Sequence, residues 1–196
     1  MKSHLLARIH GNLAVGEEPE YTEQDLDEID FENDIIYPHA TAAFNYTTYD
    51  IRRDHDTINV NTQRCNVMVL SNEDTQDSNV RHPFWYACVV GVYHAKVLYG
   101  LTVPRKKIRM QFLWVRWFGQ DPEWIGGPPS LRLDRIGYVP QDDPSGAFGF
   151  LEPEKVVRGC HLIPAYALGK TANLLAATSK FRDSPDGDWT NYYVNR

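Results

Sequence analysis

The stretch KKIRMQFLWVRWFG, residues 106 to 119, constrains the fold more than any other part of the chain. Its side chains divide by twos. Ile108, Met110, Phe112 and Trp114 fall on one face; Arg109, Gln111, Leu113, Val115 and Trp117 fall on the other. A repeat of two over this length is the signature of a β-strand, because successive side chains leave an extended backbone on opposite sides. A second long strand is expected from about Pro83 to Val97, within RHPFWYACVVGVYHA. There Phe84 and Tyr86 share a face and Trp85 takes the other. Gly91 within it predicts a bulge or a bend.

Around these two strands the chain reads as further short strands separated by turns. IIYPHATAAFNYTTYDIRRD predicts one or two strands broken near Pro38; CNVMVLS, LRLDRIGYV and CHLIPAY each predict another. NEDTQDSN, DPEWIGGPPS and PQDDPSG are polar or Pro/Gly-rich loops. Helix is expected at SHLLARIH, which reads as a helix end, as one turn at EPEKVVRG, and at KTANLLAATSKF, the plausible C-terminal helix. The tail DSPDGDWTNYYVNR is polar and aromatic, and the chain reads as a piece of a longer protein. The expected fold is mainly β: a twisted antiparallel β-barrel with few short helices and an acidic N-terminal arm. Closing the sheet removes edges that would otherwise pair with neighbours. The chain divides into an arm with its acidic leader (1–34), a barrel domain (35–170) and a C-terminal helix and tail (171–196).

Charge is unevenly spread. The formal net charge is -6, yet residues 17 to 34 hold ten acidic residues and no Lys or Arg, which leaves a balance of +4 for the rest. Such a run is either a solvated segment or a mask folded against the chain's own basic face. Three cysteines, Cys65, Cys88 and Cys160, lack CxxC spacing. Cys88 and Cys160 read as buried small hydrophobes, and the set suits a reducing compartment better than a disulfide framework or a zinc knuckle. No apolar run reaches the length of a membrane span or a signal peptide.

Motifs for phosphate cradling, zinc proteolysis and serine hydrolysis are missing. His82 and His94 lie too far apart on one strand to chelate, and His161 points away from Cys160. The DHD at 54–56 and the pair Asp142 and Asp143 read as polar turn residues. No nucleophile, base and oxyanion site assemble. The reading is therefore non-catalytic, with no cofactor and no metal.

Two segments carry unusual chemistry, HPFWYACVVGVYH and FLWVRWFGQDPEW. Most of their aromatics should build the core, with Phe84, Phe112 and Trp114 foremost. The aromatics on the opposite faces, Trp85 and Trp117, are expected to converge at an open end of the barrel, with Tyr86 or Phe118 at the rim. Such a cluster of ring faces holds a quaternary ammonium by cation–π attraction. A second candidate surface is basic: Arg105, Lys106, Lys107, Arg109, Arg116, Arg132 and Arg135 stand against three acidic residues between 105 and 135. Phosphate contact needs such residues.

FWYACVVGVYH, VRWFGQDPE and PEKVVRGCHLI, in that order, resemble the core of a bromo-adjacent homology (BAH) domain. The resemblance covers about residues 64 to 166 and departs at Gly119 and Asp121, where that family has an aromatic and an Arg. It implies a reader cage at Trp85, Tyr86, Trp117 and Phe118. NYTTYDIRRDHDTIN, HPFWYACVVGVYHAKV, FLWVRWFG, AFGFLEPEKVVRGCHLIPAYALGKT and DWTNYYVNR resemble the C-terminal region of fungal Plavaka-type (KDZ-related) transposon proteins. That implies a nuclear, transposon-derived setting and carries over no catalytic acid. The expected function is an interaction module for a histone tail, with methyl-lysine as its mark, or for another protein. Sequence-nonspecific DNA binding through the basic stretch is the alternative, and an orphan enzyme a distant third. No membrane partner is expected.

Overall fold

The computed structural model describes residues 1–11, 20–47, 50, 52–71, 83–127 and 130–195. The chain is mainly β, with two α-helices among the described residues, α1 (Lys2–His10) and α2 (Glu23–Leu26). The strands are β1 (Ile29–His39), β2 (Thr41–Thr47), β3 (Arg53–Asn59), β4 (Asn66–Leu70), β5 (Phe84–Tyr99), β6 (Lys106–Gln120), β7 (Arg135–Tyr138) and β8 (Phe148–Leu151). They continue as β9 (Val156–Gly159), β10 (His161–Pro164), β11 (Lys170–Thr171), β12 (Asp188–Trp189) and β13 (Tyr192–Asn195). No described helix is long and apolar enough to cross a membrane.

The two expected long strands are β5 and β6, and they pair with each other antiparallel along their length. This ribbon is the axis of the main sheet, whose order is β10-β13-β7-β6-β5-β4-β9. β4 and β1 share the outer edge of β5, one beyond the other; β7 and β8 share that of β6. β2 and β3 form a separate hairpin, and β11 pairs with β12.

The expected bulge lies at Val90, between the pairs Val89↔Val115 and Gly91↔Trp114. It has a consequence that plain alternation misses. One extra residue exchanges the faces of every side chain beyond it. Trp85, Ala87 and Val89 share a face with Trp117 and Val115, but past the bulge the same face carries Val92, His94 and Lys96 beside Leu113, Gln111 and Arg109. Gly91 leaves room there for the Tyr93 ring laid across it: a Cβ would sit 2.3 Å from that ring, which would have to move.

Three clusters of buried side chains follow. The Trp85/Trp117 face packs Val67, Val69, Ala87, Val89, Leu113 and Val115 beneath Phe44 and Ile58 of the β2–β3 hairpin. That hairpin is also tied down by Asp56, which accepts from the Gly159 amide at 2.9 Å and meets Arg158 at 3.6 Å. The opposite face buries Tyr86, Phe118, Ile136, Tyr138 and Tyr192 at one end of the ribbon. At the other end α1 lays Leu5 and Leu6 over Ile29, Ala95, Val97 and Phe112.

Four expectations change. The sheet does not close into a hydrogen-bonded barrel among the described residues: its ladder ends at β9 and at β10. These ends are consecutive in sequence, joined through Cys160, whose amide reaches Asn66 O at 3.0 Å before β10 turns away to β13. KTANLLAATSKF is not a helix. Lys170 and Thr171 pair as strand, and the carbonyls that a helix would use are taken elsewhere. Arg182 holds those of Ala172 and Leu175, the Gln141 amide that of Leu174, and Arg116 that of Phe181. The stretch expected as a tail supplies β13, which is inserted between β7 and β10. The acidic run is only partly a leader, since Ile29 to Asp34 enter β1. His82 and the loop NEDTQDSN lie outside the described residues.

Candidate functional site

Alternation and the β5–β6 register bring Trp85 and Trp117 together, one strand apart and diagonal to each other. Their ring centroids are 6.4 Å apart and their planes stand at 79°. Both are half-buried and lean on the cluster under the hairpin. Trp117 lies so close to Gly149 that a Cβ there would meet its Nε1 at 2.7 Å. The indoles thus make two walls at a right angle. Tyr86 and Phe118 are not the missing walls. Each is one residue from its tryptophan, so each faces the other side, where both are buried, and Phe118 stacks on Tyr138 at 4.1 Å. The four-residue cage does not assemble.

The basic set also divides. Arg116, on the inner face with Tyr86, is fully buried. Its two terminal nitrogens donate to the two carboxylate oxygens of Asp188 at 3.0 and 2.7 Å, and its guanidinium lies 3.6 Å over the Tyr138 ring. Arg135 donates to Asp121 at 2.7 Å and stacks with Arg132 on Trp124. Arg105 pairs with Asp30 at 3.7 Å, and Glu32 receives both Lys96 and Lys107. Lys106 and Arg109 remain at the far end of β6. About 40–50 Å of strand separates them from Arg132 and Arg135, so no one face carries all seven.

A different site emerges where β10 leaves β4. A groove of about 840 Å³ opens between Asn61–Asn66 on one side and β10 on the other. It reaches inward past the Val90 bulge to Cys65, Cys88, Tyr138 and Tyr192, and the exposed Asp183 also lines it. Tyr166 and Trp189 meet edge to face at its rim, 5.0 Å between centroids. Lys180 and Arg182 also line it. Its single lining carboxylate is already engaged: Asp183 accepts from Tyr192 Oη in a very short contact, from Tyr138 Oη at 3.4 Å and from the Trp189 amide at 3.2 Å. Burial pushes the Tyr138 and Tyr192 hydroxyls well above the ordinary phenol range, so both act as donors rather than as bases.

At the floor, Cys65 Sγ and Cys88 Sγ are 3.5 Å apart. The contact arises because Asn66 pairs with Cys88, which sets Cys65 one step along the neighbouring strand. The hydrogen bond from Cys88 holds the Cys65 thiol below its usual value, and the same contact together with burial pushes Cys88 well up. Burial pushes Cys160 up to about 12. Cys88 and Cys160 are partly buried rather than sealed, so the reading of both as core hydrophobes holds only in part. No group of three or more metal-ligating side chains gathers among the described residues.

Sequence reading missed this groove. Its aromatic and acidic members come from 138, 166, 183, 189 and 192, and only the pairing of β13 with β7 and β10 brings them beside Cys65 and Cys88. DSPDGDWTNYY, with its acids and aromatics close together, was the available signal.

Compared with protein-family models, curated proteins and solved structures, the chain matches none. The resemblances to BAH domains and to Plavaka-type proteins therefore rest on the quoted residues.

Proposed function

We propose that this chain is a non-catalytic interaction module, a BAH-like twisted barrel opened at one seam, and that the seam groove holds an extended segment of a partner protein. The observation that carries the reading is the coincidence of a terminal strand with a lined cavity: β10 ends the ladder beside a groove with aromatic rim and floor. A strand end offers main-chain donors and acceptors to an added strand, and alternate side chains of the guest then enter pockets. Charge selects the guest. Asp183, its one lining carboxylate, already accepts from Tyr192, Tyr138 and the Trp189 amide, and Arg182 is held by the carbonyls of Ala172 and Leu175, so the exposed Lys180 is the cation left for a guest. An apolar or aromatic anchor flanked by acidic side chains fits these walls better than a lysine-rich tail does. A nuclear, chromatin-associated setting follows from the sequence resemblance.

The test is fluorescence anisotropy with three labelled probes: an acidic peptide carrying aromatic anchors, an unmodified histone-tail peptide and a DNA duplex. Saturable binding of the acidic peptide, lost in Trp189→Ala and in Lys180→Glu, is expected. Binding of DNA or the basic tail alone overturns the reading. A second reading concerns the Trp85–Trp117 corner, whose right angle suits a trimethylammonium group on two sides. It requires that a trimethyl-lysine peptide bind the native chain and fail to bind Trp85→Ala.

A further inference from the structure

Two thiols in van der Waals contact, one just before β4 and the other on β5, both lining a groove open to solvent, are poised for a specific chemistry. A disulfide needs its sulfurs at about 2.05 Å, so Cys65 and Cys88 have only about 1.5 Å to close. We infer that Cys65 and Cys88 form a hydroperoxide-sensitive pair that oxidises reversibly to an intramolecular disulfide at the floor of the seam groove. This inference needs the groove's geometry and no occupant.

Three observations carry it. The sulfurs are 3.5 Å apart, and both residues are partly exposed. Their backbones are already held together, since the Val89 amide donates to Cys65 O at 2.7 Å, so a cross-link adds little loop-closure cost in the folded state. The two thiols are also unequal. The contact with Cys88 favours the Cys65 thiolate, which makes Cys65 the nucleophile, and Cys88 is the thiol within reach to resolve because its sulfur lies 3.5 Å away.

The steps balance. The Cys65 thiolate attacks one peroxide oxygen, the O–O bond breaks, and hydroxide leaves and is protonated to water. Cys65 is then a sulfenic acid. The Cys88 sulfur, losing its proton, attacks the Cys65 sulfur. The S–S bond forms, the S–O bond breaks, and a second water departs. Two thiols lose two electrons in all, and one hydrogen peroxide becomes two waters. A dithiol reductant reverses the change. Cys160 is the internal control: burial pushes its thiol up to about 12, and the sulfur in contact with Cys65 is that of Cys88, so Cys160 is expected to stay reduced.

The sequence makes the outcome directly readable. Trypsin cuts after Arg64, Arg81, Lys96, Arg158 and Lys170, which places each cysteine on its own peptide. The full chain is treated with hydrogen peroxide, blocked by alkylation, digested and mapped by mass. The expected result is loss of two titratable thiols, a monomer lighter by two hydrogens, and a cross-link between peptides 65–81 and 82–96 that dithiothreitol reverses. Cys160→Ser should behave as the native chain does, and Cys88→Ser should stop at a sulfenic acid on Cys65 that dimedone traps. A cross-link to the peptide of Cys160, a disulfide between two chains, or an unchanged thiol count overturns the inference. The native map alone decides should Cys88→Ser fail to fold. None of these readouts depends on the peptide-binding test, so either proposal can fail alone.

Discussion

The β5–β6 ribbon has two ends, and they solve different problems. At the end bearing Trp85, Tyr86, Trp117 and Phe118, both faces are covered: the β2–β3 hairpin lies on one, and β7 and β13 bring aromatics to the other. At the end bearing Val97 and Ile108, only the inner face is covered, by α1. The outer face there is polar, with His39 Nε2 against His94 Nδ1 at 2.6 Å and Lys96 and Lys107 on Glu32. One pair of strands thus carries a two-sided core and a one-sided core in series. The lesson is that alternation assigns a face, while the elements that pack on it decide whether the face is core. Arg116 makes the point most sharply. A charged residue in the doubly covered region is buried, because Asp188 arrives on β12 to meet it.

Breaking the doubly covered end should cost most. Asp188→Ala leaves the Arg116 charge buried without its carboxylate, and a loss of about 3–5 kcal/mol in chemical denaturation is expected. A loss under about 1 kcal/mol would mean that water reaches Arg116. At the α1-covered end Phe112→Ala should cost about 3 kcal/mol, and Trp114→Ala, further along β6 against Phe148 and Phe181, should cost less, because Phe112 is sealed whereas Trp114 is partly exposed. Equal costs would show that Trp114 is packed as tightly as Phe112.

The third prediction separates the ends by pH. His4 is buried in α1, its Nε2 has no partner among the described residues, and burial, with Arg8 and the N-terminus, brings its pKa down from 6.5 to about 3. The folded state therefore refuses a proton that the unfolded chain accepts. Stability is full above pH 6.5 and falls as the pH drops from there toward 3. Between pH 7 and pH 5 the loss from this group is about 2 kcal/mol. His4→Leu should flatten that segment of the pH profile, read by thermal melts; an unchanged slope would place the acid sensitivity elsewhere. The smallest effect concerns the exposed face. Glu32→Lys removes the acidic partner of Lys96 and Lys107, and DNA affinity should rise only at low salt, leaving the melting temperature unmoved. Unchanged DNA binding at low ionic strength would remove the masking role of the acidic run.

By itself the sequence determined the strand character of most of 84–99 and 106–120, the faces of Trp85 and Trp117, an irregularity beside Gly91 and helix over 3–10. Each is a local property: period two, a glycine within a strand, a short helix-forming run that the structure shows ending at Gly11. Only the tertiary structure decided the rest. The exchange of faces beyond Val90 depends on which residue of β6 each residue of β5 meets. The fate of KTANLLAATSKF was settled by carbonyl partners distant in sequence, notably Arg116 and Gln141. Cys65, Cys88, Asp183 and Tyr192 form one groove because β13, the last strand, inserts between two earlier ones. Local patterns report which way a side chain points, but the residue it meets is set by register and strand order, and these follow from packing the whole chain at once.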